Sequence, residues 1–298
     1  MYCIIVNPNA GCGQSIKKTT ALISHLDKRG IKYYTIYTNA AMDAAAAARE
    51  FCRSAEIQGI IGIGGDGTMQ EIASGMAGAY QLGQKIPVPL CIFPAGSAND
   101  FVLSVNRQKK TNEAIIDRLI GKIFRTIDII TANDQAYLNI GNFGLDAWIV
   151  KNAEPLKKTY GGYAYLAAVY KSIASYKPVN LVIEADGKTF EGAFTLAAVC
   201  NGEYYGGGLH ISPPAKIDDG KITLCIVNNM SKLKAMAVFP SLIIKKHMHF
   251  KDVSFYESDS VKVTFLDEDG ILCLDGNLYP ANGTIEFKLY KQVLDIVA

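Results

Sequence analysis

Along the first third of the chain, short apolar and β-branched runs alternate with segments of helical spacing. YCIIV (2–6), KYYTIYT (32–38), GIIGI (59–63) and PLCIF (89–93) are strand-like, and the stretches between them are of helical length. This alternation predicts βαβ units and a mainly parallel sheet. Parallel sheets bind ligands beyond the carboxyl ends of their strands, so chemistry is expected in the loops that follow these runs. From about Thr126 the texture changes. RTIDIITA, AYLNIG, VNLVIEAD, TFEGAFTLAAVC, KITLCIV, SVKVTF and ILCL are strand-like, with turn signals such as Ala185-Asp186-Gly187-Lys188 between them. They predict an antiparallel β domain. Two helical segments interrupt it, 160–176 and 231–246, the second broken or kinked at Pro240. The expected fold class is α/β plus all-β.

Length and charge narrow the picture. At 298 residues the chain exceeds a typical single domain, which supports two. Thirty basic residues against 28 acidic ones leave no strong field, so nucleic acid is not an expected partner. Seven dispersed cysteines without a CxxC pair read as reduced, packed thiols in a cytoplasm. The N-terminus MYCIIV has no basic region, and no apolar run approaches ~18 residues, so neither an export signal nor a membrane span is expected.

The most informative loop is IGGDGTMQE (63–71). Its glycines permit a tight turn, and Thr68-Met69-Gln70-Glu71 reads as a T-x-x-E capping box. Those two readings leave Asp66 unexplained, and the amides at such a helix start also bind phosphate. No Gly-Lys-Ser/Thr follows, so the loop is not a Walker A. Asn7-Pro8-Asn9-Ala10-Gly11-Cys12-Gly13 follows the first run, Thr38-Asn39 ends the second, and Pro94-Ala95-Gly96-Ser97-Ala98-Asn99-Asp100 follows the fourth. Four glycine-bearing or capping loops at successive strand ends point to a nucleotide crevice.

Taken together, NPNAG, GGDGT with Glu71, PAGSANDF, NGEYYGGGLHISPPAKIDDGKI (201–222) and LDGNLYP (274–280) resemble the diacylglycerol kinase catalytic-domain family, in particular its soluble bacterial lipid kinases. GGDGT alone also marks NAD kinases; PAGSANDF and the GGG/DDG segment select the lipid-kinase branch. The resemblance implies an N-terminal α/β nucleotide-binding domain of the NAD kinase and diacylglycerol kinase type and a C-terminal β-sandwich-like domain, with ATP in the cleft between them. It also implies that IEFKLY (285–290) returns to the first domain. The expected division is 1–126 with 284–298, and 127–283 as a β-rich lipid or substrate domain. Carried over residue by residue, ATP contacts fall on Asn7, Pro8, Asn9, Ala10, Gly11, Thr38, Gly65, Asp66, Gly67, Thr68, Glu71 and Ser97. Mg²⁺ would take Asp219 and the carbonyls of Lys216 and Lys221, an oxygen set that suits a hard cation; a plain turn is the alternative for Asp218-Asp219-Gly220.

The resemblance gathers acidic residues at the cleft at Asp66, Asp100, Asp128 and Asp275. It breaks at Asn277. Bacterial members usually read Asp-Gly-Glu there, with the glutamate as general base, whereas this chain reads Asp275-Gly276-Asn277. An amide cannot take up a hydroxyl proton near pH 7, and losing a base costs roughly 10² to 10⁴ in rate. The preferred reading is an active ATP- and Mg²⁺-dependent lipid kinase acting on diacylglycerol or a similar lipid alcohol, with Asp66 or Asp275 as base; the alternative is a chain that binds nucleotide or senses lipid and phosphorylates lipid poorly or not at all. An NAD-kinase-like phosphotransferase is a third. For the acceptor, Tyr160, Tyr163, Tyr165, Tyr170 and Tyr176, with Ala167, Ala168 and Ile173, give one helix an aromatic apolar side. LKAMAVFPSLIIKKHMHFK (233–251) carries Lys245, Lys246 and Lys251 beside apolar residues. Either suits a lipid substrate met at the inner membrane surface, and either is also explained by packing on the β domain. Homodimers are common in the resembled family.

Overall fold

The computed structural model describes residues 1–81, 83–105 and 111–297, with the side chains of all these except 112, 153–166 and 168. The N-terminal part runs β1 (Tyr2–Val6), α1 (Gln14–Lys28), β2 (Tyr33–Tyr37), α2 (Asp43–Cys52), β3 (Gly59–Gly64), α3 (Asp66–Ala77), β4 (Leu90–Pro94), α4 (Asp100–Val105) and α5 (Asn112–Ile120). β1 pairs in parallel with β2 and β3, and β3 with β4. Every residue of β1 is buried because both sheet faces are covered. Cys3 and Ile5 pack with α2 and α3, while Ile4 and Val6 pack with Leu22 and Leu26 of α1. That two-sided burial explains why β1, β3 and β4 read as unbroken apolar runs, whereas β2 at the sheet edge is only half-buried.

The second part contains β5 (Arg125–Ala132), β6 (Gln135–Tyr137), β7 (Ile140–Gly144), α6 (Leu145–Ser175), β8 (Val179–Ala185), β9 (Lys188–Cys200), β10 (Tyr204–Tyr205), β11 (Leu209–His210), β12 (Ile222–Asn228), α7 (Lys232–Val238), β13 (Val253–Ser258), β14 (Ser260–Phe265), β15 (Gly270–Leu274), β16 (Asn277–Ala281) and β17 (Thr284–Val297). Its pairings are antiparallel, as expected. Period-two burial is clear in β14, where Val261, Val263 and Phe265 point into the core. The main sheet runs in the order β16-β15-β7-β9-β8-β14-β17-β4-β3-β1-β2, so hydrogen bonding continues from one part into the other through β17.

Four expectations are corrected. IEFKLY does not itself reach the first sheet: Thr284–Lys288 pair with β14, and only Ile296 and Val297 pair with β4, beyond an irregularity between Tyr290 and Leu294. The helix expected over 160–176 begins at Leu145, where Gly144 turns the chain with φ 82° against Thr195. Tyr160, Tyr163, Tyr165 and Ala168 lie outside the described side chains. The helix expected over 231–246 ends at Val238 and continues as short 3-10 turns, interrupted by Lys245 at φ 59°. Finally, six cysteines are buried, but Cys12 is exposed in the loop after β1.

Candidate active site

The loops after β1 to β4 and one wall of the second part enclose a cleft of about 500 Å³. Asn7, Asn9, Ala10, Gly11, Thr38, Gly65, Asp66, Gly67, Thr68, Glu71 and Ser97 line it from the first part. Pro8 does not; its carbonyl accepts a hydrogen bond from Ser15 Oγ at 3.1 Å. Residue 11 has to be glycine, since φ is +59° and a Cβ would fall 2.2 Å from the Ala95 carbonyl oxygen. This close approach brings the β1 loop against the β4 loop.

The capping box does not form. α3 begins at Asp66 with Gly65 as N-cap and no side-chain cap. Thr68 is already inside the helix, where its Oγ1 accepts from Asn7 Nδ2 at 3.2 Å. Glu71 instead takes backbone N–H groups of Met42 and Ala44, while burial pushes its carboxyl up. Both residues therefore tie neighbouring loops to α3 rather than closing its own end. Gly65, Asp66 and Gly67, where the helix starts, line the cleft.

Asp66 reaches across to α4, where its Oδ1 accepts from Phe101 N at 3.0 Å. Burial raises its carboxyl against the pull of these backbone donors. Asn99 closes the PAGSAND loop by bonding both the N–H and the carbonyl of Gly96, at 2.9 and 2.8 Å. Asp100, 6% exposed, accepts from Gly207 N and Gly208 N. That contact joins the β4 loop to the β10–β11 hairpin, whose Tyr205 and Gly206 line the cleft.

On the opposite wall, Asp275 and Gly276 form the two-residue turn between β15 and β16, with φ of 47° and 92°. An Asp-Gly pair suits a hairpin in which both central φ are positive. The Asp275 carboxylate accepts from Leu138 N, Asn139 N and Ile140 N at 2.8, 3.1 and 2.8 Å. Burial and the charge of Asp66 push it up to about 7 against those donors. Asn277 donates Nδ2 to the Gly67 carbonyl at 3.0 Å and to Gln70 Oε1 at 2.7 Å. Gln70 is fully buried and donates its own amide to the Ala136 carbonyl, while Tyr279 OH donates to its Oε1. This chain of bonds fixes which way each amide faces.

Asp128 is not brought to the cleft. It is fully buried and accepts from Gly220 N and Gln292 N, both at 2.7 Å, so it braces the 216–221 turn. Lys216, Asp219 and Lys221 also lie outside the cleft lining. Asp219 Oδ1 accepts from Lys221 N at 3.1 Å, and burial and the Asp128 charge raise its carboxyl. Among the described residues no cluster of three or more His, Cys, Asp or Glu could hold a metal. A cation at this turn would therefore depend on main-chain carbonyls beside Asp219, and that all-oxygen donor set fits Mg²⁺.

Asn142 and Asp146, outside every motif named in the sequence, are buried in the cleft wall, each 5% exposed. A carboxylate inside the apolar run NFGLDAWIV was the available signal.

Comparison with known proteins fits this arrangement. The family model described as "Diacylglycerol kinase catalytic domain" matches residues 1–132. The one described as "YegS C-terminal NAD kinase beta sandwich-like domain" matches residues 140–297. A diacylglycerol kinase of Bacillus subtilis (strain 168) is 28% identical over 274 residues, covering 92% of this chain and 88% of the relative. A diacylglycerol kinase of Mycobacterium tuberculosis (strain ATCC 25618 / H37Rv) is 26% identical over 268 residues, covering 87% and 83%. The crystal structure of a diacylglycerol kinase from Bacillus anthracis str. Sterne superposes with a TM-score of 0.69 at 22% identity, covering 99% of this chain and 96% of that one, a likeness of fold.

Proposed function

Because the chain belongs to the diacylglycerol kinase catalytic-domain family, with its YegS-type C-terminal domain, we propose that it transfers the γ-phosphate of ATP to the hydroxyl of diacylglycerol or a related lipid alcohol. The observation that carries this reading is the convergence of four βα loops from one part and buried carboxylates from the other on a single cleft. Phosphoryl transfer needs little covalent chemistry from the protein; it needs aligned reactants and a place for the proton. The amides at the start of α3 and the Gly11 loop would hold phosphate oxygens, with Thr38 and Ser97 at the rim. ATP supplies the phosphoryl group. Mg²⁺ would be held at the 216–221 turn by Asp219 and the Lys216 and Lys221 carbonyls. The test is ³²P transfer from ATP in mixed micelles across diacylglycerol, ceramide, sphingosine, phosphatidylglycerol and undecaprenol, with NAD as a soluble control. Transfer to one lipid class is expected. Transfer to NAD alone, or ATP binding without transfer, would sink the proposal.

The lipid has to be met at a surface, and the segment 231–251 suits that task. Among the described residues no helix is long and apolar enough to cross a membrane. Leu233 is 80% exposed, and Ile243 and Ile244 are 61% exposed. The segment holds five lysines and no carboxylate. Lys245 pairs with Glu203, which also holds His210 at 2.6 Å in the hairpin that borders the cleft. Docking of these isoleucines and lysines on an anionic bilayer would thus set the cleft beside its lipid. Ile243→Ser with Ile244→Ser is expected to weaken sedimentation with phosphatidylglycerol vesicles by about tenfold or more. Activity on a short-chain acceptor in detergent should persist; unchanged vesicle binding would refute this surface.

A further inference from the structure

If the chain is a lipid kinase, something other than residue 277 has to receive the proton of the acceptor hydroxyl. Asn277 is locked as a donor to Gly67 and Gln70. Three of the cleft carboxylates are also committed. Asp66 takes backbone N–H at the start of α4, Asp100 takes those of Gly207 and Gly208, and Asp275 takes three in a row at 138–140. Each such bond engages the carboxylate with the backbone and opposes its protonation, even where burial raises the carboxyl as at Asp66 and Asp275.

Asp146 differs. It sits in the first turn of α6, lines the cleft, and is held by the side-chain amide of Asn142. Asp100 from α4 and Cys200 from β9 face it, and Cys273 from β15 lines the same cleft. None of these groups supplies a positive charge. We propose that Asp146 is the general base of the transfer. The acceptor oxygen forms its bond to the γ-phosphorus as the bond from that phosphorus to the β–γ bridging oxygen breaks. ADP leaves with the electron pair, and the hydroxyl proton passes to the Asp146 carboxylate. Burial and the neighbouring Asp100 push this carboxyl up to about 8, a basicity that suits proton uptake near neutral pH.

Because this inference rests on the lipid-kinase reading, its test uses two acceptors. Lipid transfer measures the reaction itself, and slow hydrolysis of ATP uses water in place of the alcohol. Asp146→Asn is expected to lower both rates by about 10² to 10⁴, with ATP affinity unchanged. Wild-type kcat/KM should rise about tenfold per pH unit up to near 8 and then level off. The variant should lose that slope, and Asp146→Glu should restore part of it. Stability provides a separate check. The folded carboxyl holds its proton to higher pH than the unfolded one, so wild-type stability falls as pH rises from about 4 through about 8. Asp146→Asn lacks that fall, so its Tm should gain on the wild type with rising pH. A variant that keeps wild-type rates and slope overturns the assignment alone. A wild type that transfers to no acceptor and hydrolyses no ATP overturns both readings.

Discussion

Replacing Asp275 with alanine is expected to lower stability by about 3–5 kcal/mol and to abolish turnover. The substitution would leave three buried N–H groups, at Leu138, Asn139 and Ile140, without an acceptor. It would also release the β15–β16 turn from the β6–β7 connection, and with it the position of Asn277. Asp275→Asn should cost less, because its remaining carbonyl can still accept from part of this row. The loss should depend on pH in a defined direction. With the folded carboxyl pushed up to about 7, wild-type stability falls as pH rises from about 4 through about 7, and the alanine variant has no such slope. The gap between them should therefore be widest near pH 4 and narrow towards pH 8. Thermal denaturation across that range decides it; an alanine variant with wild-type Tm and turnover would show that the row of bonds matters little.

Asn277→Glu is expected to reduce turnover at least tenfold, although the family usually places a glutamate there. A carboxylate at this site would face the Gly67 carbonyl and Gln70 Oε1, two acceptors that now receive the amide protons. Gln70 cannot turn to help, since its own amide is spent on Ala136 and its oxygen also serves Tyr279. Space is equally short: a Cβ on Gly67 would come within 2.7 Å of Asn277 Oδ1, so the side chain already lies against the GGDGT loop. Two lost hydrogen bonds and an unpaired charge amount to about 2–4 kcal/mol. Asn277→Ala should be milder than Asn277→Glu, because it removes the donors without adding repulsion. A rise in turnover with glutamate would show instead that the protein lacks a base, and would weaken the assignment of Asp146.

The legible part of the fold was the part governed by local pattern. β1 to β4 stand within a residue or two of their strand-like runs: in β1, β3 and β4 burial on both faces demands apolar residues at nearly every position, while the half-exposed edge strand β2 is marked by its β-branched and aromatic residues. The four loops were legible because glycine, asparagine and aspartate mark where a strand hands over to a helix. What pattern could not supply was partnership at a distance. Thr68 and Glu71 have the spacing of a capping box, yet their side chains turn to Asn7 and to the start of α2. Asp128 matched a cleft residue in sequence but is engaged with Gly220 and Gln292 far along the chain. LDAWIV lies ahead of the helix expected over 160–176, and only the turn at Gly144 against β9 makes it the first turns of α6.

By itself, then, the sequence determined the parallel and antiparallel halves, the succession of glycine-bearing or capping loops at strand ends and the family, since each depends on residues close together or on motifs in order. The tertiary structure alone decided the work of the individual polar side chains. Whether a carboxylate is a brace, as at Asp275 and Asp128, or free to take a proton, as proposed for Asp146, depends on which backbone N–H groups come to lie beside it. Those groups arrive from elements more than a hundred residues away, from 138–140 for Asp275 and from Gln292 for Asp128. The same holds for Asn277, whose amide looked like a missing base until Gln70 and Gly67 stood opposite it as acceptors.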